Sequence, residues 1–300
     1  MTGDGVLRIG ELSRRSGVSP DLLRAWERRY GLLRPERSAG GLRLYSADDL
    51  ERVRQMRRHL AQGLAAAEAA ALALNGAAPA GGTPAPAHPA LDTAAARAEL
   101  TAALSNFDEP RAQEVLDRVL AALTVEAALS DVLLPYLHEL GDGWARGEVS
   151  VAQEHFATTV LRGRMFGLAR GWGSGLGPAA VLACLPDEHH DLGLIAFGLA
   201  LRSRGWWIVY LGTDTPLETV EEASRALEPS LVVLNAVTED RVAPVAARLR
   251  ALARHHRVAL GGAAAGADAS RPKGVLALGG DPVEEAARMT ALVRDETHTP

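Results

Sequence analysis

The stretch AAVLACLPDEHHDLG, residues 179–193, decides how the larger part of this chain folds. Its first seven residues, Ala179–Leu185, are an unbroken apolar run, the pattern of a strand buried on both faces. Pro186 and Asp187 interrupt that run and Leu192-Gly193 opens a helical pattern, so Glu188-His189-His190-Asp191 falls in the loop between a strand and the next helix. Further strand candidates follow at Trp207–Leu211, Leu231–Asn235, Val258–Leu260 and Gly274–Leu278, with helical segments between them. Alternation of this kind implies a Rossmann-like parallel sheet wrapped by helices over residues 178–300, with ligands bound at the carboxyl ends of the strands.

The loop has its own chemistry. A histidine there can present one ring nitrogen to a metal while a neighbouring carboxylate accepts the proton of the other, fixing the tautomer and raising ligand basicity. No His, Cys or Glu cluster completes a zinc-like shell, so a metal at a histidine of this loop must arrive already ligated, as in a macrocycle. Gly193 lets a bulky flat ligand approach the backbone. Cys184, the single cysteine, cannot form an intramolecular disulfide and reads as core.

Upstream, residues 91–177 carry apolar positions at helical spacing, such as Leu133, Leu137 and Leu140, and read as a four-helix bundle. Gly141, Gly143 and Gly147 place Trp144 near a helix end. Ser150 and Gln153 form a capping-box pattern that restarts a helix with Glu154 and His155 in its first two turns. Trp144, Glu154 and His155 can then converge on one mouth; spacing alone reads more plainly as a buried tryptophan and a satisfied His–Glu pair. Residues 75–90, mostly Ala, Gly and Pro, form a linker.

The segment before it, residues 1–74, is a separate head. Residues 1–62 hold thirteen arginines against eight acids, a net charge of +5 on a chain of total charge −5, so the remainder carries −10. A basic head on an acidic body suits a phosphate backbone. Arg8–Ser16 reads as a first helix, Gly17-Val18 as a tight turn, and Asp21–Tyr30 as a second helix, with Ser19 as its cap and Pro20 at its start. On that helix Arg24 and Arg28 share one face while Leu22, Leu23 and Trp26 face the core. Gly40-Gly41-Leu42-Arg43-Leu44-Tyr45 reads as a hairpin wing that carries Arg43 and Tyr45 to flanking phosphates. No eighteen-residue apolar run and no secretion-signal pattern is found, so the expected location is the cytoplasm, with no membrane partner.

The I-G-E-L start, the R-x-W-E-R-R-Y-G-L run and the G-G-x-R-x-Y-S wing resemble the MerR family over residues 6–74. The resemblance implies binding to double-stranded operator DNA through Arg24, Arg28, Arg43 and Tyr45. It also implies self-association through a helix after the wing, here Ala47–Leu74. Glu188-x-His190-x-x-Gly193 resembles the D/E-x-H-x-x-G loop of cobalamin-binding domains. That resemblance assigns His190 as lower axial ligand to cobalt, supported by Glu188. It places Asn235-Ala236-Val237, where the family has S-x-L, and Gly261-Gly262 along the slot for the nucleotide tail.

Trp144, Glu154 and His155 extend the likeness to the CarH-like photoreceptor repressors, in which such residues lie over the adenosyl group of adenosylcobalamin. The likeness implies a dark DNA-binding homotetramer that light dissociates by cleaving the cobalt–carbon bond, releasing DNA. One departure is Ala145, where well-known members carry a histidine; its methyl group cannot ligate cobalt. The expected class is a non-enzymatic regulator of multidomain α and α/β fold: winged helix-turn-helix, helical bundle, Rossmann-like cobalamin domain. Sensing of cobalamin level or another ligand without light is the alternative, and a cobalamin methyltransferase or mutase module is the least supported reading.

Overall fold

Ser19 starts the second helix as its sequence context suggests: in the computed structural model its hydroxyl accepts from the Leu22 amide at 3.3 Å, and Pro20 occupies the first helical position. The structure describes residues 7–37, 42–61, 66–75, 91–169, 172–174, 177–266 and 271–297. Most of the expected linker and the wing glycines Gly40 and Gly41 lie outside these.

The head runs α1 (Ile9–Ser16), α2 (Pro20–Tyr30), β1 (Glu36–Arg37), β2 (Arg43–Leu44), α3 (Ala47–Ala61) and α4 (Ala66–Asn75), with β1 and β2 paired antiparallel. Leu12, Leu23, Trp26, Leu32, Tyr45, Val53 and Met56 form its buried core. Ala69, Ala70 and Ala73 of α4 belong to the same cluster. The fully buried carboxylate of Asp49 ties the wing to the start of α3. It accepts from the amides of Arg34 and Ser46, both at 2.9 Å, and pairs with Arg52 at 2.5 Å. Leu22 departs from expectation: it is 44% exposed, because the core-facing stripe of α2 is carried by Leu23 and Trp26.

Helices then follow one another as α5 (Thr93–Ser105), α6 (Glu109–Ala122), α7 (Val125–Ala128), α8 (Leu134–Ala145) and α9 (Val151–Leu168), with a π-helical turn over Leu129–Leu133 joining α7 to α8. Beyond them lie β3 (Ala179–Cys184), α10 (Leu192–Ser203), β4 (Trp207–Gly212), α11 (Leu217–Leu227), β5 (Leu231–Asn235), α12 (Glu239–Val242), α13 (Ala246–Leu252), β6 (Val258–Gly261), β7 (Leu276–Leu278) and α14 (Pro282–Thr297). The strands form one parallel sheet in the order β4-β3-β5-β6-β7.

Each strand contributes alternate side chains to the two faces. Val181 and Ala183 join Leu217, Val220, Leu249 and Leu252 in the core on one side. α10 and α14 pack against each other, and buried Trp206 donates its indole N–H to Thr290 Oγ1 at 2.9 Å. The chain leaves β3 toward β4 and leaves β5 toward β6, so the strand order reverses between β3 and β5. The loops after these two strands therefore border the crevice where sheets of this type bind ligands.

Candidate functional site

The loop after β3 is held from both sides. The amide of Asp187 donates to Asp214 Oδ1 at 2.7 Å, and the Asp214 amide donates to the Glu188 carbonyl at 2.9 Å. On the other side Glu188 Oε2 accepts from the Val237 amide at 2.7 Å, just after β5. Its Oε1 accepts from the His190 amide at 2.9 Å and lies 2.6 Å from His190 Nδ1. Burial pushes the Glu188 carboxyl upward, but the Val237 and His190 amides and the His190 ring outweigh it and hold the group below its ordinary value. An ionised carboxylate only accepts hydrogen bonds, so Nδ1 carries the ring proton and Nε2 carries the free lone pair.

The His190 side chain is 75% exposed while the carboxylate that orients it is 4% exposed, an oriented donor at an open surface. Asn235, read as a contact for the nucleotide tail, is 6% exposed and donates from Nδ2 to the His190 carbonyl at 2.6 Å. In this arrangement its amide nitrogen braces the His190 loop. Gly261 and Gly262 wrap its other end. Gly262 has φ of 84°, and a Cβ there would come within 2.9 Å of Asn235 Oδ1 and closer still to the Ala236 carbonyl oxygen. Gly193, in the first turn of α10, has open space where a side chain would project.

The bundle residues are placed by local chemistry. The α8 helix persists through Gly141 and Gly143 to Ala145; a Cβ on Gly143 would meet Val149 Cγ2 at 2.9 Å, so the bare glycine lets the following turn fold back. Trp144 is 54% exposed, which overturns the plainer reading of it as core. The capping box at Ser150 and Gln153 forms as expected. Glu154 and His155 face each other across 3.6 Å, and the His155 side chain is 74% exposed. Among the described residues, no three His, Cys, Asp or Glu side chains group to hold a bare metal ion.

Three residues that the sequence leaves without a role join this region. Arg162 of α9 donates to the His189 carbonyl at 3.2 Å and pairs with Asp191 Oδ1 at 2.8 Å, an ionic contact whose angle falls outside hydrogen-bond geometry. Tyr210 of β4 donates to Asp191 Oδ2 at 2.7 Å. Burial and the Asp191 carboxylate push the Tyr210 hydroxyl far above its ordinary value, so it remains a donor. Asp191 stands inside the motif; nothing local reveals partners 29 residues before it and 19 after it.

In the head, Arg24 and Arg28 are exposed and one turn apart on α2. Tyr45 contradicts its expected place at the phosphates: it is fully buried, and its hydroxyl donates to Glu27 Oε2 at 3.0 Å. Backbone pairing of Leu7 with Tyr45 turns the ring inward. Arg43 is 52% exposed and pairs through Nε with Glu27 Oε1 at 3.1 Å. Glu27 thus fastens both wing residues to α2, a role with no signal in the sequence beyond its place in the W-E-R-R-Y run. No described helix is long and apolar enough to cross a membrane.

A basic helix-turn-helix head joined to a parallel-sheet domain that displays a braced histidine at its switch point defines a ligand-binding regulator. Residues 7–75 match the MerR HTH family regulatory protein model, and residues 96–166 and 178–287 match two B12 binding domain models. The chain is 37% identical to the HTH-type transcriptional repressor CarH of Myxococcus xanthus over 86% of its own length and 89% of that protein. It is 32% identical to the repressor CarA of the same organism over 77% and 76%. The monomethylamine corrinoid protein of Methanosarcina barkeri superposes with a TM-score of 0.56 at 18% identity, covering 67% of this chain and 99% of that one, which shows the shared fold. The chain belongs to the family of MerR-type transcription regulators with a cobalamin-binding domain, represented by CarH.

Proposed function

We propose that this chain is a cytoplasmic repressor that binds double-stranded operator DNA while it holds adenosylcobalamin in the dark, and that light makes it let go. In this reading residues 1–74 bind DNA, 75–90 link, 91–177 cover the cofactor and 178–300 hold it. The observation that carries the proposal is the braced His190: a buried carboxylate fixes its tautomer, and its Nε2 lone pair faces an open surface, as a lower ligand to a pre-ligated cobalt requires. Glu188 holds the ring, Asn235 holds the His190 peptide, and Gly193 leaves room for a flat macrocycle.

Bound adenosylcobalamin would supply a cobalt–carbon bond that visible light breaks. Trp144, exposed at the end of α8, and the Glu154–His155 pair at the start of α9 would cover its upper face and exclude water. Loss of that covered group changes what these residues touch, and a change in contacts is what shifts an assembly equilibrium. Because residue 145 is alanine, no ligand for cobalt can come from that position after photolysis. In the head, Arg24 and Arg28 would meet the major groove and Arg43 the flanking backbone, with Tyr45 acting from the core through Glu27. The reading assigns no catalytic residue.

The test is DNA affinity of the full chain, by anisotropy of a labelled duplex selected from a random pool with adenosylcobalamin present. Tight binding in the dark with the cofactor, lost after green illumination together with a fall in assembly size, is the expected result. Affinity that follows the cofactor but ignores light would support the light-independent alternative, and affinity indifferent to both would refute cobalamin control.

A further inference from the structure

The helix that carries Glu154 and His155 is the helix that carries Arg162, two turns further on and on the same side. At about 1.5 Å per residue, Glu154 and Arg162 are separated by roughly 12 Å along the axis. At its far end α9 is bound to the sheet domain twice. Arg162 reaches the His189 carbonyl and the Asp191 carboxylate, the residues on either side of His190. One turn later Phe166 packs edge-on against Tyr210 with centroids 5.6 Å apart, and Tyr210 itself donates to Asp191. Asp191 is 2% exposed at the amino end of α10, where the helix dipole favours a negative charge. The Arg162 Nε is buried with no hydrogen-bond partner, and both contacts to the loop are made by Nη2.

We propose that Arg162 is a positioning residue for His190, tying the helix of the upper-face residues to the loop of the lower ligand so that both faces of the site move together. The proposal rests on the cobalamin reading only for its consequence at cobalt; the mechanical tie belongs to the unliganded protein. Any displacement of α9 must stretch the Arg162 contacts or drag the peptide at His189, and His190 is the next residue. From the sheet side Glu188 holds that same peptide through the His190 amide, and Asn235 holds the next one through the His190 carbonyl. Loss of Arg162 therefore loosens the loop on one side without removing any contact of the His190 ring.

The test compares wild type, Arg162→Met and Arg162→Lys in the full chain. The first readout is amide hydrogen exchange of residues 188–193 without cofactor. Arg162→Met is expected to speed it by about 10-fold or more, and Arg162→Lys, which keeps the charge toward Asp191, to restore part of the protection. The second readout is the electron paramagnetic resonance of bound cob(II)alamin, where nitrogen splitting reports the His190–cobalt bond. Arg162→Met is expected to weaken or broaden that splitting and lower cobalamin affinity by about 10-fold. Unchanged exchange and an unchanged cobalt signal would overturn the proposal. A wild type that retains no cobalamin, with exchange still faster in Arg162→Met, would refute the cofactor reading and leave the tie standing. If Arg162→Met fails to fold, Asp191→Asn gives the same comparison, since it keeps a partner for Tyr210 while removing the charge that Arg162 holds. Wild-type protection in that variant would overturn the proposal equally.

Discussion

Replacing Glu188 by Gln separates an oriented histidine from one that is merely nearby. The carboxylate accepts three contacts: Oε1 serves the His190 amide at 2.9 Å and its ring Nδ1 at 2.6 Å, and Oε2 serves the Val237 amide at 2.7 Å. A carboxamide has one oxygen. If that oxygen faces His190, its NH2 opposes the Val237 N–H and a buried donor is orphaned, at a cost of about 2 kcal/mol. If the NH2 faces His190 instead, the His190 amide is orphaned and Nδ1 must accept, which moves the ring proton to Nε2 and occupies the lone pair a metal would use. Either orientation destabilises the unliganded domain, and a loss of about 2 kcal/mol lowers its melting temperature by roughly 4–8 °C for a unit of this size. The second also cuts cobalamin affinity, by about 10–100-fold for a supporting residue of this kind. Calorimetric melting of the free protein and titration with cobalamin followed by absorbance measure the two effects. A variant with wild-type melting and affinity within twofold of wild type would refute the brace.

Glu27→Gln tests the wing: for a bound phosphate taken at about 8 Å, removing the negative charge would tighten DNA binding by roughly 0.5 kcal/mol in water, whereas losing the anchor of Arg43 should weaken it by about 1–2 kcal/mol. We expect weaker binding by anisotropy at fixed salt, and tighter binding would show that Glu27 only repels the backbone. Burial and the Glu27 carboxylate push the Tyr45 hydroxyl up to about 12 from its ordinary 10.0. Its contribution is thus intact below pH 10 and is lost as pH rises toward 12, because the unfolded chain ionises first. Tyr45→Phe should flatten that alkaline decline in denaturant melts, and an unchanged decline would contradict the burial. Gly262→Ala forces a Cβ against the Ala236 carbonyl at a φ of 84°, so we expect a loss of at least about 2 kcal/mol in urea unfolding; wild-type stability would show that the turn can relax.

The parallel sheet was legible because strands buried on both faces read as continuous apolar runs, and Leu231–Asn235 appears with the bounds its sequence suggests. The Glu188–His190 contact was legible because the two residues stand two positions apart in one loop. Tyr45 was misread since a two-residue strand carries too little alternation to say which face turns inward; its pairing with distant Leu7 settles that. Leu22 failed for a related reason: an amphipathic stripe places neighbouring positions only to within one step. Arg162, Asp191 and Tyr210 are a long-range set, and Asn235 finds the His190 carbonyl 45 residues away. Contacts of that kind leave no periodic trace in the chain.

The proposed function stands on one bond, between His190 and the cobalt of a cobalamin, in a protein that grips DNA. Its most direct test is the absorbance spectrum of the full chain mixed with adenosylcobalamin and desalted in the dark, recorded before and after green illumination beside the His190→Ala variant. The expected result is a retained cobalamin spectrum that light alters, and a variant that binds weakly or shows cobalt without a histidine ligand. A wild type that emerges colourless, or a His190→Ala variant with the same spectrum and affinity, would contradict it.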